Sequence, residues 1–244
     1  MPKKFRADEL LVERALCESI DEARKYIMAG QVRGGNDRVI QKASEMLPLE
    51  QALFLDLPLP YVSRGALKLK PGFEKYLPEP QGLIALDLGS STGGFTDLML
   101  QNGVSKVYAV DVGTGQLHYK LRTDERVISM EQTNARSLAN EQVPELVDIV
   151  TSDVSFISVT KILPAASGLM KEGALAFILV KPQFEVSRSQ VSDGVIRDEA
   201  LRLEMVEKVK SFAAIELNWS TLDVLPSDLK GPKGNQEYVV VFRK

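Results

Sequence analysis

The strongest structural signal in the chain lies in one segment, Leu86-Asp87-Leu88-Gly89-Ser90-Ser91-Thr92-Gly93-Gly94-Phe95-Thr96-Asp97. Here a short apolar run leads into a glycine-rich turn, and a segment with helical character follows the turn. Glycines in such a turn let the backbone approach a ligand closely, and open α/β sheets bind cofactors at the carboxyl ends of their strands. The segment therefore predicts the first strand and the cofactor-binding turn of an α/β sheet.

Short runs rich in branched apolar residues recur from this segment to the end of the chain. They are Leu83 to Leu88, Lys106 to Val112, Val127 to Met130, Val147 to Ser152, Ala174 to Val180 and Tyr238 to Phe242. Segments of helical length separate most of these runs, which is typical of alternating strands and helices around a buried, largely parallel sheet. We therefore predict an α/β domain that occupies most of the chain.

The chain before Tyr61 has a different pattern. Between Arg6 and Val32 the apolar residues recur at steps of three and four, which predicts two short amphipathic helices, the second ending at Ala29-Gly30. The run Pro58-Leu59-Pro60 then interrupts the chain. We therefore divide it into a small N-terminal module with its linker, residues 1–60, and the α/β domain, residues 61–244.

Composition limits the classes of function. The chain has 244 residues, 44% of them hydrophobic, which is enough for a sizeable core, and its net charge is −3. Any contact with nucleic acid must therefore come from a local basic face. The single cysteine and single histidine argue against a disulfide framework, a zinc site and a Ser-His-Asp triad. Neither a signal peptide nor a membrane-spanning run is visible, so we expect a cytoplasmic protein without membrane contact.

The choice of cofactor rests on two positions. Asp111 ends the second strand about twenty residues after the glycine turn, where a carboxylate accepts hydrogen bonds from a ribose diol. Ser91 stands at the third position of the G-x-G-x-x-G pattern, where nicotinamide-binding proteins have glycine. S-adenosylmethionine has no pyrophosphate to bind, so the sequence favours it, and a nicotinamide-dependent oxidoreductase stays open as an alternative.

Charged residues follow two other strands. Asp153 follows the run that ends at Ser152, and Lys181 follows the run that ends at Val180. A lysine directly after an apolar strand is partly desolvated, which favours the neutral amine that a general base needs. We expect Asp153 and Lys181 to align a hydroxyl for attack on a methyl group. Lys68 and Glu237 are candidates for the same cluster, although each by itself is more typical of a surface charge.

Absent residues separate the classes of methyl transfer. Methylation of pyrimidine carbon normally uses a cysteine nucleophile, and Cys17 lies at a predicted helical position of the N-terminal module, where it has the character of a small core residue. Methylation of amino groups would place a polar-Pro-Pro-aromatic run after the fourth strand, where this chain has Ser152-Asp153-Val154-Ser155-Phe156. Methylation of a hydroxyl group remains.

Five motifs occur in order along nearly the whole chain. They are Tyr61-Val-Ser-Arg-Gly-Ala-Leu-Lys68, Asp87-Leu-Gly-Ser-Ser-Thr-Gly-Gly-Phe-Thr-Asp97, Val110-Asp-Val-Gly-Thr-Gly-Gln-Leu117, Lys181-Pro-Gln-Phe-Glu185 and Gly234-Asn-Gln-Glu237. Together they resemble the TlyA group of FtsJ-type ribose 2′-O-methyltransferases, many of which carry the label hemolysin. The resemblance implies a Rossmann-like class I methyltransferase domain, with a mostly parallel sheet and an antiparallel last strand.

The resemblance also implies the site residues. The catalytic tetrad would be Lys68, Asp153, Lys181 and Glu237, with Lys181 acting most directly on the hydroxyl group. The residues expected to hold S-adenosylmethionine are Asp87, Gly89, Ser90, Ser91, Thr92, Gly93, Gly94, Phe95, Asp111, Asn134, Ala135 and Asp153. No metal ion is expected.

The N-terminal module resembles the small S4-type RNA-binding fold through its segments from Arg6 to Arg14 and from Ser19 to Gly30. The residues expected to contact RNA are Arg6, Arg14, Arg24, Lys25 and Arg64. The resemblance implies methylation of a cytidine ribose in ribosomal RNA, with ribosomal subunits as partners, and this compact chain is similar to members that act on the large subunit.

Two further alternatives stay open. A ribosome-associated RNA-binding protein without catalytic activity would share the fold, but the complete tetrad argues against it. A hemolysin would need a long amphipathic or apolar insertion segment, and none is visible in the sequence.

Overall fold

The computed structural model describes residues 4–57, 59–187, 191, 193–231 and 233–244. Pro58, one of the residues that places the linker, lies outside them. The chain forms two compact units, Met1–Pro60 and Tyr61–Lys244. This division falls at the position where the sequence analysis divides the chain, and each unit is described by itself below.

The first unit contains two helices and short paired strands. Their bounds are β1 Lys4–Arg6, α1 Ala7–Glu13, α2 Ile20–Met28, β2 Val32–Gly34, β3 Met46–Pro48 and β4 Leu53–Leu55. Strand β1 pairs with β3 and β2 pairs with β4, both antiparallel. The apolar faces of the two helices pack against residues of the strands, including Val32 and Leu47, in one buried cluster. The helical period in the sequence therefore identifies the residues that form this core.

Cys17 corrects one expectation. Its side chain is buried in the apolar cluster, so the prediction of a small core residue is confirmed. It lies between α1 and α2, however, and not in a helix. Helix α1 ends at Glu13, and Ala15 has a φ of 55°, which no right-handed helix accommodates. The apolar spacing continues across this break, and for that reason the sequence pattern does not reveal it.

The second unit is built on a sheet of seven strands. They are β5 Ile84–Leu88, β6 Lys106–Val110, β7 Val127–Met130, β8 Val147–Ser152, β9 Met170–Val180, β10 Ser220–Pro226 and β11 Tyr238–Arg243. Their order across the sheet is β10-β11-β9-β8-β5-β6-β7. The strands from β9 to β7 are parallel to one another, whereas β11 is antiparallel to both of its neighbours. The predicted mostly parallel sheet with an antiparallel last strand is confirmed.

Helices cover both faces of this sheet. Their bounds are α3 Ala66–Tyr76, α4 Gly94–Gln101, α5 Tyr119–Arg122, α6 Leu163–Gly168, α7 Pro182–Glu185 and α8 Glu199–Leu217. Alternate side chains of β9 point to opposite faces: Phe177 packs in the cluster that contains α3 and α4, and Ile178 in the cluster that contains α6 and α8. No helix among the described residues is long and apolar enough to span a membrane.

One strand escapes the sequence prediction. Strand β10 lies at the edge of the sheet, and most of its residues are only partly buried. It contains Asp223 and ends in Pro226, so it lacks the continuous apolar run of the central strands. Strand β9 also begins at Met170, four residues before the predicted start at Ala174, because Lys171, Glu172 and Gly173 are exposed and break the apolar pattern.

The order of the strands locates a crevice. Strand β5 pairs with β8 on one side and with β6 on the other, so the chain leaves β5 toward one half of the sheet and later returns to the other half. In open α/β sheets the connections diverge at such a point and leave space outside the carboxyl ends of the strands. The glycine turn after β5 lies at this point.

Packing beneath α3, the helix that carries Lys68, gives a testable prediction. Phe73 is fully buried, and its ring lies 5.7 Å from the ring of Phe177. We expect Phe73→Ala to lower the free energy of unfolding by roughly 3 to 5 kcal/mol, because it removes a buried ring and leaves a cavity. Urea unfolding followed by fluorescence of Trp219, the single tryptophan, reports on this unit.

The matched control is Ile215→Ala on α8, where the side chain is 74% exposed. We expect that variant to change the free energy of unfolding by no more than about 0.5 kcal/mol. Equal losses in the two variants would contradict the assigned packing.

Candidate active site

The functional side chains meet because of the directions of the strands. Gly89, Asp111, Asp153 and Lys181 each follow a strand of the parallel set, and the carboxyl ends of parallel neighbours lie at one edge of the sheet. Glu237 immediately precedes β11. Because β11 is antiparallel, the start of this strand lies at the same edge, and its first residue pairs with the last residue of β9.

The predicted catalytic tetrad consists of two ion pairs in one cavity. Lys68 Nζ lies 2.6 Å from Glu237 Oε2, and Lys181 Nζ lies 2.5 Å from Asp153 Oδ1. Glu237 and Lys181 are buried, with 1% and 7% of their surface exposed. All four residues line a cavity of about 270 Å³, called here the tetrad cavity. The structure therefore brings together all four predicted residues, two of which the sequence by itself presents as surface charges.

Ser155 is a site residue that the sequence analysis does not identify. Its Oγ accepts a hydrogen bond of 2.9 Å from Lys181 Nζ, the same nitrogen that pairs with Asp153. Asp153 and Ser155 thus hold the Lys181 amine from one loop, which follows β8. The available signal was the position of Ser155 two residues after a predicted site carboxylate.

Phe156, the next residue in this loop, is an exposed aromatic. It is 91% exposed and has a φ of 65°, in the left-handed region that non-glycine residues seldom adopt. Its ring lies 5.2 Å from the ring of Phe184. Both rings line a further cavity of about 220 Å³, called here the third cavity, which Lys181 and Glu237 also line. An apolar surface therefore adjoins the tetrad.

The glycine turn forms a second site. Gly89 has a φ of +79°, and a Cβ added there would lie 2.9 Å from the main-chain oxygen of Asp153. The Asp111 carboxylate accepts hydrogen bonds from the backbone N–H groups of Ser91, at 2.8 Å, and Gly113, at 2.7 Å. These contacts fix the carboxylate at the rim of a cavity of about 460 Å³, called here the cofactor cavity.

The cofactor cavity has a mixed lining. Among the predicted cofactor-binding residues it is lined by Gly89, Ser91, Asp111, Asn134, Ala135 and Asp153. The tetrad cavity shares Gly89, Ser91 and Asp153 with it. The two cavities therefore adjoin each other at these three residues. Val110 and Ile162 add apolar surface that the sequence analysis does not assign to the site.

The remaining predicted cofactor residues divide into two groups. Those that line the tetrad cavity are Asp87, Ser90, Thr92, Gly94 and Phe95. Gly93 lines neither of the two cavities, and a Cβ at this position would overlap the side chains of Leu117 and Leu121. Glycine is required at Gly93 for packing against α5.

Asp87 has a supporting position. It is fully buried, and its carboxylate accepts hydrogen bonds from Thr96 Oγ1, at 2.7 Å, and Thr151 Oγ1, at 2.8 Å. Burial raises the pKa of Asp87 from its ordinary 3.8 to about 6, and the hydrogen bonds only partly offset this effect. Asp87 thus ties β5 to β8 and α4 below the glycine turn.

Three of the predicted RNA-binding residues have structural partners within the first unit. Arg6 and Arg24 both pair with Asp8, at 2.8 Å and 3.0 Å, although the Asp8 side chain is fully buried. Burial opposes ionisation of Asp8, but these hydrogen bonds outweigh it and hold the pKa below its ordinary value. Arg14 donates to the main-chain oxygens of Leu49 and Gln51. These arginines therefore help to hold the unit together.

The other two predicted RNA-binding residues, Lys25 and Arg64, are exposed. In the part of the chain that the structure describes, no three His, Cys, Asp or Glu residues form a group suited to a metal ion.

Comparison with known proteins gives consistent matches. The family model described as FtsJ-like methyltransferase matches residues 61–244. The chain is 41% identical over 245 residues to the 16S/23S rRNA (cytidine-2′-O)-methyltransferase TlyA of Mycobacterium tuberculosis, covering 100% of this chain and 91% of that protein. It is 41% identical over 187 residues to the 23S rRNA (cytidine-2′-O)-methyltransferase TlyA of Campylobacter jejuni, covering 75% of this chain and 71% of that protein.

A solved structure from Streptococcus thermophilus, designated a hemolysin, is similar over the full length. Its TM-score is 0.74 at 39% identity, and the match covers 100% of this chain and 90% of that one. The relatives therefore include both a methyltransferase name and a hemolysin name.

The raised pKa of Asp87 predicts a pH dependence of stability. A carboxyl group with a pKa of about 6 in the folded protein and 3.8 in the unfolded chain keeps its proton longer in the folded state. Its contribution to stability is complete below pH 4 and is lost as the pH rises through 6. We expect the wild type to lose roughly 3 kcal/mol relative to Asp87→Asn between pH 4 and pH 7, because the variant has no proton to lose.

The measurement is urea unfolding at constant ionic strength, followed by Trp219 fluorescence. Asp228→Asn, which removes an exposed carboxylate, serves as the control. Parallel stability curves for the wild type and Asp87→Asn would show that Asp87 ionises normally in the folded protein.

Proposed function

The chain belongs to the FtsJ-like methyltransferase family, and from this premise we propose that it methylates the 2′-hydroxyl of a cytidine ribose in ribosomal RNA with S-adenosylmethionine as the methyl donor. The observation that carries the proposal is the presence of two ion pairs, each with one buried partner, in a cavity that adjoins the cavity lined by Asp111. The tetrad provides groups that bind and deprotonate a hydroxyl group.

The residues at the glycine turn fit S-adenosylmethionine. Gly89 lines both cavities, and a Cβ at this position would crowd the main-chain oxygen of Asp153. Asp111 presents a fixed carboxylate for a ribose diol. Asn134 and Ala135 line the same cavity. S-adenosylmethionine, when bound, supplies an electrophilic methyl group on its sulfonium.

The tetrad would act on the target hydroxyl group. Lys181 is held by Asp153 and Ser155, so its amine has a fixed position at the base of the tetrad cavity. In the proposed reaction the 2′-oxygen would gain a bond to the methyl carbon as the bond between methyl and sulfur breaks, S-adenosylhomocysteine would leave, and the hydroxyl proton would pass to the Lys181–Asp153 pair. The Lys68–Glu237 pair lines the same cavity and would orient the ribose. Positioning provides much of the acceleration, because the methyl group is already reactive.

The partner of this reaction is proposed from the names of the relatives. The proteins from M. tuberculosis and C. jejuni are both named for a cytidine 2′-oxygen, and 23S rRNA is the substrate that their names share. We therefore propose large-subunit RNA as the first substrate to test, and a cytoplasmic location follows from it. In the N-terminal module, proposed to be of the S4 type, exposed Lys25 is the first candidate for phosphate contact; in the second unit it is Arg64.

Phe156 supports a single-stranded nucleotide as the target. Exposure of a large apolar ring costs free energy unless a partner covers it, and nucleobases stack on such rings. The ring lies beside the third cavity, which Lys181 and Glu237 border. A base that rests on Phe156 would leave its ribose facing the tetrad. Enzymes that modify nucleotides commonly extrude the target in this way.

The catalytic proposal predicts that two lysines differ sharply in their effect: Lys181, which follows β9, and Lys171, near the start of that strand. Lys181→Ala should lower the rate of methyl transfer by roughly 1,000-fold or more, because removal of a central catalytic group has an effect of this size. The Kd for S-adenosylmethionine should stay within about threefold of the wild-type value. Lys171→Ala is the matched control, because Lys171 lies near the other end of the same strand and is 46% exposed. It should leave both quantities unchanged.

The assay is transfer of a tritiated methyl group to ribosomal subunits from a strain that lacks this gene, followed by nuclease mapping of the label. Full activity of Lys181→Ala would remove Lys181 from the mechanism. If the folded wild type binds S-adenosylmethionine but transfers no methyl group, the result would favour the alternative of an RNA-binding protein without catalytic activity. Lysis of erythrocytes by Lys181→Ala would favour the hemolysin.

The proposed stacking gives a second prediction. Phe156→Ala should raise the KM for RNA by about tenfold or more, since stacking of a base on an aromatic ring contributes roughly 1 to 3 kcal/mol. Phe156→Tyr should retain the wild-type KM. Tyr119→Ala, which removes another exposed aromatic ring, is the control.

The kinetics are measured at saturating S-adenosylmethionine, together with a separate titration of the cofactor. Because Phe156 also borders the cofactor cavity, a higher Kd for S-adenosylmethionine with an unchanged KM for RNA would assign the ring to the cofactor and contradict the stacking proposal.

A further inference from the structure

Residues 113–117, which follow the ribose carboxylate Asp111, form a loop that one side chain holds in place. The carboxylate of Glu131 accepts hydrogen bonds from the backbone N–H groups of Gly115, at 2.8 Å, Gln116, at 3.0 Å, and Leu117, at 3.5 Å. Three successive N–H groups that converge on one point form an anion-binding concavity. Here the protein fills that concavity with its own carboxylate.

The residues after Glu131 strengthen the same attachment. The backbone N–H of Gln132 donates to the main-chain oxygen of Gly113, and Gln132 Nε2 donates to Thr114 Oγ1, both at 3.0 Å. The backbone N–H of Thr133 donates to the main-chain oxygen of Asp111 at 2.9 Å. The loop is therefore bonded along its length to the segment that follows β7.

The side chain of Gln116 lies where this loop meets the cofactor cavity. Gln116 lines the cavity together with Asp111. A Cβ added at Gly113 would overlap the amide nitrogen of Gln116 and would lie 3.2 Å from Asp111 Oδ1. The Gln116 amide thus passes over Gly113, beside the carboxylate that is proposed to bind the ribose. A methyl group at this position would displace the amide from the place that it occupies here.

We propose that Gln116 contacts the nucleoside half of the bound cofactor through its side-chain amide and that Glu131 is the positioning residue that holds it there. The inference rests on the proposed function in one respect, namely that the ligand is S-adenosylmethionine. An amide carries both a donor and an acceptor, which suits the ribose hydroxyl groups next to Asp111. Preforming this wall lowers the ordering cost of binding.

The charge of Glu131 matters to this role. The hydrogen bond from the backbone N–H of Gly115, with those from Leu117 and Gln116, lowers the pKa of Glu131 below its ordinary value. Glutamine at this position would keep the size of the side chain but would turn an NH₂ group toward backbone donors. Glu131→Gln therefore loosens the loop without creating a cavity.

The test is calorimetric titration of the full chain with S-adenosylmethionine and, separately, with S-adenosylhomocysteine. We expect Gln116→Ala to raise both Kd values about tenfold, the size expected for the loss of one or two hydrogen bonds. Glu131→Gln and Gly113→Ala should each raise both Kd values by roughly five- to tenfold, because each weakens the same hydrogen bonds. Glu125→Gln removes an exposed carboxylate just before β7 and should change neither value.

The double variant Glu131→Gln/Gln116→Ala separates positioning from a general structural effect. If Glu131 acts through Gln116, the double variant binds about as weakly as Gln116→Ala alone, roughly tenfold weaker than the wild type. A multiplied loss of about a hundredfold would overturn the positioning role, and wild-type Kd values in Gln116→Ala would overturn the contact. At saturating cofactor, kcat should stay within about twofold of wild type in each variant.

Failure of this inference is distinguishable from failure of the proposed function. If the wild type binds neither S-adenosylmethionine nor S-adenosylhomocysteine, S-adenosylmethionine is not its cofactor, and both proposals fail. A wild type that binds both probes but transfers no methyl group to ribosomal RNA would refute the substrate, while the affinities of the variants would still decide the roles of Gln116 and Glu131.

Discussion

The pairing of β5 with β8 on one side and β6 on the other is the constraint on which the rest of the site depends. It places the end of β5 where the chain connections diverge, which leaves space outside the carboxyl end of the strand. The buried carboxylate of Asp87 reinforces this arrangement by bonding Thr151 on β8 and Thr96 on α4. A carboxyl group with a pKa near 6 is an unfavourable component of a core. Its position directly beneath the turn indicates that geometry is maintained there at a cost in stability.

Buried charge has a similar role in the tetrad. Removal of a carboxylate and an ammonium from water costs several kcal/mol, and only close pairing with further hydrogen bonds offsets that cost. Lys181 satisfies this condition through Asp153 and Ser155, and Lys68 is closely paired with Glu237. The reversed direction of β11 makes the first pair possible, because it brings Glu237 to the edge at which the parallel strands end. The antiparallel direction of this strand is therefore necessary for the ion pair.

Carboxylates outside the tetrad perform most of the positioning. Asp8 holds two arginines of the first unit, and Glu131 holds the loop beside the cofactor cavity. Glu185, which is buried, accepts hydrogen bonds from Ser158 Oγ and the backbone N–H of Val159 and so holds the far end of the loop that carries Ser155. Hydrogen bonds to a charged acceptor are stronger than neutral ones, which suits them to this task.

The sequence by itself determined the local elements and the chemistry available at their ends. The apolar runs identified six strands of the sheet, and the glycine turn, Asp111, Asp153 and Lys181 were visible because each directly follows such a run. Edge strand β10 was missed, because partial exposure removes the apolar pattern on which strand prediction relies.

Only the tertiary structure decided which charges are buried and paired. Lys68 and Glu237 lie 169 positions apart, and their separation of 2.6 Å results from the packing of α3 and the direction of β11. The packing role of Gly93 and the hold of Glu131 on residues 113–117 were equally invisible. The hydrogen bond from Lys181 to Ser155 was signalled only by the position of Ser155 close after Asp153. Local periodicity reports how each segment meets solvent, whereas contacts between distant segments depend on strand order and direction, which the pattern of a single segment does not contain.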